Sequence, residues 1–132
     1  MAGFMMNIGK VTITKAELWA IYTGLKIVFD MGMEKVQVET DSTCAVNLLQ
    51  HASTDLHDST SLIRAIKELQ ANPGDFRVNH VLREANFSAD VLAKHAHNLP
   101  AGLHHFVSPP SFLVPTIEVD RRQIVFARIV NA

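Results

Sequence analysis

Cysteine is the scarcest chemistry in this sequence: among 132 residues there is one, Cys44. A lone thiol excludes an internal disulfide and any zinc site built on paired cysteines. It fits a reducing, intracellular compartment, with nucleus and cytoplasm both open. An excess of one charge is lacking too. Twelve lysines and arginines nearly balance thirteen aspartates and glutamates, for a formal net charge of −1. No global field therefore draws in a polyanion or a membrane surface, and any such contact must be local. No apolar run approaches the ~20 residues of a membrane span. The apolar start MAGFMMNIGK lacks the basic flank and the length of a secretory signal. There is no GxSxG, P-loop or GxGxxG, which leaves hydrolase-triad and nucleotide-binding functions without support. What is present suffices for one core. Hydrophobic residues make up 48% of the chain, and a domain of this size buries somewhat under ~70% of its unfolded surface.

The apolar residues fall into alternating periods. Residues 2–8 read as a strand closed by Gly9. In TKAELWAIYTGLKIVFDMG, Leu18, Ile21, Leu25, Val28 and Phe29 recur every three or four residues and predict an amphipathic helix. Thr14 and Glu17 form a capping-box pattern at its start, and Gly32 is its stop signal. EKVQVETDS alternates, with Val36, Val38 and Thr40 on one face of a strand that ends at Asp41. Ser42 is then placed to cap a short helix carrying Ala45, Val46, Leu48 and Leu49.

The polar link HASTDLHDST leads into a helix with Leu62, Ile63, Ile66 and Leu69, which NPGD breaks. FRVNHV is a second alternating strand. An elbow of Arg83, Glu84 and Asn86 opens a last helix bearing Asp90, Val91, Leu92 and Ala96. From Leu99 onward, Pro100, Pro109, Pro110 and Pro115 punctuate the chain, and QIVFARIV has the pattern of one more strand. Alternating helices and strands predict an α/β domain over residues 1–98, with residues 99–132 an extension draped over it.

Three acids stand at element ends: Glu17 early in the first long helix, Asp41 at a strand end, Asp90 at the start of the last helix. Open α/β folds place their sites at such edges, and oxygen ligands suit hard divalent cations. Each acid also has a plain structural role: a capping-box partner, a strand-end turn residue, and a carboxylate favoured by a helix dipole. Spacing alone leaves both roles open. His95, His97, His104 and His105 match no closed zinc spacing and read as solvated. Trp19 reads as a core or edge residue, and Lys10, Lys15 and Lys26 as a solvated face.

An ordered set of motifs goes further. AELWA, VQVETDS, LIRAIKEL, HVLREAN and ADVLA, with the tail LPAGLHHFVSPPSFL, resemble the ribonuclease H type 1-like domain common in plants, which is related to the ribonuclease H of retroelement reverse transcriptases. The resemblance implies a ribonuclease H-like mixed sheet flanked by helices. It also implies acids that hold Mg²⁺ or Mn²⁺ and hydrolyse the RNA strand of an RNA–DNA hybrid. By motif these acids are Glu17, Asp41 and Asp90. Asn86 and Ser42 are candidate substrate contacts beside them, and Arg83 either meets the scissile phosphate or forms a surface salt bridge with Glu84 or a neighbour.

The family's first strand contributes a further aspartate, usually followed by glycine. In this sequence the first aspartate is Asp30, and no acid precedes Glu17. The family's pattern, carried onto this chain, gives a domain lacking the first one or two strands, with weak or no nuclease activity. It also gives an exposed sheet edge inviting self-association. The bacterial members carry a histidine in a longer loop before the last acid; VLREANFS has none, and His80 lies earlier, in the strand. The alternative is a non-catalytic, retroelement-derived remnant serving as an interaction module.

Overall fold

The computed structural model describes residues 3–51, 60–71 and 74–119. In chain order these form β1 (Gly3–Asn7), α1 (Ile13–Asp30), β2 (Lys35–Thr40), α2 (Thr43–Gln50), α3 (Thr60–Gln70), β3 (Asp75–His80), a 3₁₀ turn (Arg83–Ala85), α4 (Phe87–Ala96), β4 (Gly102–Phe106) and a second 3₁₀ turn (Ser111–Leu113). Residues 114–119 are helical. The expected strand QIVFARIV, most of the polar link before α3, and the Asn-Pro of NPGD lie outside the described residues. The chain divides into two compact units: Lys10–His80, and Met1–Gly9 together with Val81–Ala132. No helix among the described residues is long and apolar enough to cross a membrane.

Lys10–His80 holds the larger core. Helix α1 starts earlier than the capping-box pattern implies: Thr12 is the N-cap, its hydroxyl accepting from the Lys15 N–H at 3.2 Å. Thr14 is therefore already helical, and the residue in the capping-box position is Lys15. Thr12 wins because its backbone is extended (φ −64°, ψ 156°) while Thr14 lies within the helical turn. The other end behaves as expected. Gly32 has φ +75°, its N–H reaches the Phe29 carbonyl at 3.0 Å, and the Met33 N–H reaches Val28 at 3.1 Å, a Schellman closure that favours glycine.

Leu18, Ile21 and Leu25 of α1 pack with Ala45 of α2, Leu62, Ile63 and Ile66 of α3, and Phe76 of β3. Strands β2 and β3 pair in parallel, Lys35 opposite Asp75 through Thr40 opposite His80. Gly74 brings β3 close enough for the Asp75 N–H to reach the Glu34 carbonyl at 2.6 Å; a Cβ on Gly74 would lie 2.6 Å from that same oxygen. Lys35, Gln37 and Glu39 face solvent alongside Asp75, Arg77 and Asn79. This polar face departs from the usual two-sided burial of parallel pairs. On it, Asp75 lies 2.9 Å from the Arg77 guanidinium and raises its already high pKa by hydrogen bond and charge.

In the second unit, β1 pairs antiparallel with β4, Gly3 opposite Phe106 and Asn7 opposite Gly102. The Phe106 ring covers Gly3 so closely that a Cβ there would collide with it. The Asn7 amide donates to the Leu99 carbonyl at 2.9 Å, and His104 Nε2 lies 2.9 Å from the Pro100 carbonyl. His95 of α4 stacks on Phe112, ring centroids 4.2 Å apart at 20°. His95 and His104 are thus engaged in packing and bonding, whereas His97 and His105 are exposed. Ala96 and Leu113 are buried. The described part of the extension belongs to the same compact unit as α4 and β1. Both strand orientations expected of a mixed sheet occur, as two separate two-stranded ladders.

Candidate metal and nucleic-acid site

Glu17, Asp41 and Ser42 lie in the unit Lys10–His80, Glu17 on α1 and the other two in the turn that follows β2. Glu17 is half-buried beside the fully buried Leu18. Because Thr12 caps the helix, Glu17 is not spent on capping. The Thr40 hydroxyl points to its Oε2 instead, a long contact of 3.5 Å. The same Thr40 oxygen accepts the Ser42 N–H at 3.1 Å. Thr40 is only 4% exposed, so a buried hydroxyl ties the helix glutamate to the turn that leaves β2. Asp41 is the first residue of that turn and is half-buried. One buried threonine thereby joins the Glu17 carboxylate to the backbone of the turn that carries Asp41.

Ser42 does what its position predicts for the backbone. Its Oγ accepts the Ala45 N–H at 3.1 Å and caps α2. A hydroxyl that accepts one bond keeps its hydrogen to donate to an oxygen acceptor. Thr14 donates to the Cys44 thiol at 3.5 Å, a second link between α1 and α2. His80 stands opposite Thr40 in the ladder and is exposed, so it ends β3 as an edge residue.

Asp90, Arg83 and Asn86 belong to the other unit. Asp90 lies in the first turn of α4, where its carboxylate suits the helix dipole, and its N–H bonds the Asn86 carbonyl at 3.1 Å. Helix α4 begins at Phe87, so Asp90 sits inside the first turn rather than at its opening residue. Lys94, one turn on, places Nζ 3.0 Å from Asp90 Oδ2. Arg83 is exposed on the 3₁₀ turn. Asn86 occupies the N-cap of α4 without a side-chain capping bond, so its amide is not consumed by the helix.

Thr40 and Lys94 escaped the sequence analysis as site residues. Thr40 was visible only as one more inward residue of an alternating strand, and its hydroxyl acquires a role only when α1 packs over β2. Lys94 carried a readable signal, the Asp-to-Lys spacing of four on a helix.

Carboxylate oxygens and hydroxyls with no histidine or thiolate among them are the donor chemistry of a hard divalent cation. No group of three or more His, Cys, Asp or Glu side chains placed to hold a metal occurs among the described residues. Glu17 and Asp41 are contributed by one unit and Asp90 by the other.

Comparison with known proteins gives three consistent results. The family described as "Reverse transcriptase-like" has a sequence model that matches residues 2–96. A protein of Arabidopsis thaliana named "Putative ribonuclease H protein" is 34% identical over 118 residues, a stretch covering 89% of this chain and 19% of that protein. This chain thus spans only a small part of that relative's length. Ribonuclease H1 from the halophilic archaeon Halobacterium salinarum superposes with a TM-score of 0.63 at 28% identity, over 70% of this chain and 71% of that one.

Proposed function

The chain belongs to the reverse transcriptase-like family and is a ribonuclease H-like domain; on that premise we propose that it binds nucleic acid, an RNA–DNA hybrid by preference, with Glu17, Asp41 and Asp90 as ligands for Mg²⁺ or Mn²⁺. The observation that carries this is the Glu17–Thr40–Ser42 junction. A glutamate on a helix is tied through a buried hydroxyl to the backbone of the turn after β2, and Glu17 and Asp41 of that turn stand where the family's motifs put acids.

When bound, the divalent ions supply an activated water and stabilise the leaving oxygen in phosphodiester hydrolysis. The chain's own residues do the rest. Glu17, Asp41 and Asp90 supply hard oxygen donors. Arg83 offers a bidentate cation to a backbone phosphate, and Asn86 and Ser42 donate hydrogen bonds to phosphate or sugar oxygens. A 2′-hydroxyl is the group by which such a surface distinguishes RNA from DNA.

No group of three acids placed to hold a metal occurs among the described residues, and β1, with the sequence GFMMN, carries no acid. We propose that this chain by itself binds hybrid but cleaves it weakly or not at all. The second reading is a retroelement-derived, plant-type interaction module without turnover. Residues 1–98 would be its family-defining body and residues 99–132 its extension. Self-association through a sheet edge is the accompanying proposal, since among the described residues β2 pairs only with β3.

Labelled RNA–DNA hybrid, incubated with the 132-residue chain in MnCl₂ or MgCl₂, tests both halves. The expected outcome is retention of hybrid with little cleavage, and Mn²⁺ binding that is lost in Asp41→Asn. Robust turnover abolished by the same substitution would overturn the weak-activity half. Absence of Mn²⁺ binding by the unsubstituted chain would overturn the site.

A further inference from the structure

We propose that the open edge of β2 docks the β2 of a second copy of this chain, paired antiparallel about a two-fold axis with Gln37 opposite Gln37. This rests on the self-association proposed above and names its edge, partner and register. The Asp75 N–H bonds the Glu34 carbonyl, and Lys35 stands opposite Asp75 in a parallel ladder. Backbone groups of an extended strand turn to alternate sides, so Val36, Val38 and Thr40 follow Glu34 in facing β3. Lys35, Gln37 and Glu39 turn their N–H and carbonyl groups the other way, to an edge that carries no strand among the described residues. Such a row of backbone groups is a template for another strand. The far edge of β3 is less available, since the Gln70 side-chain amide reaches the Phe76 carbonyl at 3.5 Å.

The chemistry of the β2 edge selects its partner. Its three outward residues also carry exposed side chains, a lysine, a glutamine and a glutamate in that order. Read antiparallel, the order is its own complement: Lys35 meets the partner's Glu39, Gln37 the partner's Gln37, and Glu39 the partner's Lys35. Residues with outward backbone groups thereby face one another, as the hydrogen-bonded pairs of an antiparallel ladder must. Opposite charges directly across a strand pair attract, and like charges repel. A copy added in parallel and in register would set lysine beside lysine and glutamate beside glutamate. A slip of two residues sets a charge opposite Gln37 and breaks both ion pairs. A slip of one turns every side chain to the wrong face. On the other face Val36 and Val38, half-buried against the core cluster, continue onto the partner's Val38 and Val36. The β2–β3 ladders of the two copies become one four-stranded sheet, and strand pairs standing alone are marginal in water.

Sedimentation velocity of the full 132-residue chain over a concentration series tests the proposal, with circular dichroism reporting the fold of each variant. The unsubstituted chain should show a concentration-dependent dimer. Gln37→Pro should be monomeric, because it removes an N–H at the centre of the interface that β3 does not use. Lys35→Glu and Glu39→Lys should each weaken the dimer about tenfold or more at low salt, exchanging two attractive pairs for two repulsive ones. An equimolar mixture of these two variants should dimerise, and so should the double variant Lys35→Glu/Glu39→Lys. Lys26→Glu, the same charge change on α1, should leave the dimer unchanged. A chain that stays monomeric, or a dimer that a folded Gln37→Pro chain retains, would overturn both the register and sheet-edge self-association. A dimer lost in Gln37→Pro but untouched by Lys35→Glu, or not restored in the double variant, would overturn the register and leave edge pairing standing. An equal loss in Lys26→Glu would reduce the charge pairs to a bulk effect and overturn the register too. Should Gln37→Pro not fold, the charge variants and their rescue decide alone.

Discussion

The two compact units are held together by different physics. Lys10–His80 buries Leu18, Leu25, Ile63 and Ile66 completely, large side chains from two helices that meet over a parallel strand pair. Met1–Gly9 with Val81–Ala132 has only Ala96 and Leu113 as buried hydrophobic residues among those described. It relies instead on the β1–β4 ladder, the Asn7–Leu99 and His104–Pro100 contacts, and the His95–Phe112 stack. Apolar burial scales with area and is the main source of folding stability, whereas each exposed polar contact adds little net. The unit that carries Glu17 and Asp41 is thus stabilised mainly by its core, and the unit that carries Asp90 mainly by pairing and capping contacts.

Three substitutions sharpen or break this contrast. Ile66→Ala should have the largest effect, about 2–5 kcal/mol, because it opens a cavity where the surrounding side chains are packed from three elements. Hydrogen exchange should show the loss at amides of α1, α3 and the β2–β3 pair. Leu113→Ala should cost about 2–3 kcal/mol, at the lower end of the same range, since fewer buried neighbours frame the space it leaves. Its effect should fall on α4, β1 and β4. If either variant lowered protection equally throughout the chain, the units would unfold as one and the contrast would fail. Ser42→Ala should be the smallest, about 1 kcal/mol from the lost N-cap of α2, read as a modest fall in thermal midpoint. A larger fall would mean that the Ser42 hydroxyl supports Asp41 as well as the helix.

Much of the first contrast is legible in the chain itself. Leu18, Ile21 and Leu25 announce a buried helix stripe by spacing, and Val36 and Val38 announce a strand with one wet face; both are as the alternation requires. Ser42 and Gly32 act at the helix ends where their chemistry belongs. The start of α1 was less legible. Two threonines, Thr12 and Thr14, both offer a capping hydroxyl, and only the backbone conformation of Thr12 decides between them. The role of the extension was not legible at all. Nothing in GLHHF announces that it will pair with residues near the N-terminus, because ladder partners far apart in sequence leave no local periodicity.

The candidate site divides along the same line. Its acids were found by an ordered set of short motifs, which record residue type and order. Glu17 looked equally like a capping residue, and the tertiary structure removes that role by shifting the cap and turning the Thr40 hydroxyl toward its carboxylate. Asp90 looked like an acid favoured by a helix dipole; the structure adds the lysine that neutralises it.

By itself, then, the sequence determined the elements from α1 to α4, the stripe that α1 buries and the family, because periodicity, capping chemistry and motif order are properties of neighbours along the chain. Tertiary structure alone decided that Thr40 links Glu17 to the Asp41 turn, and that residues 102–106 complete a ladder begun at residue 3. Those contacts join residues tens of positions apart. Their geometry comes from how a packed core and a paired backbone close in space, which no local pattern encodes.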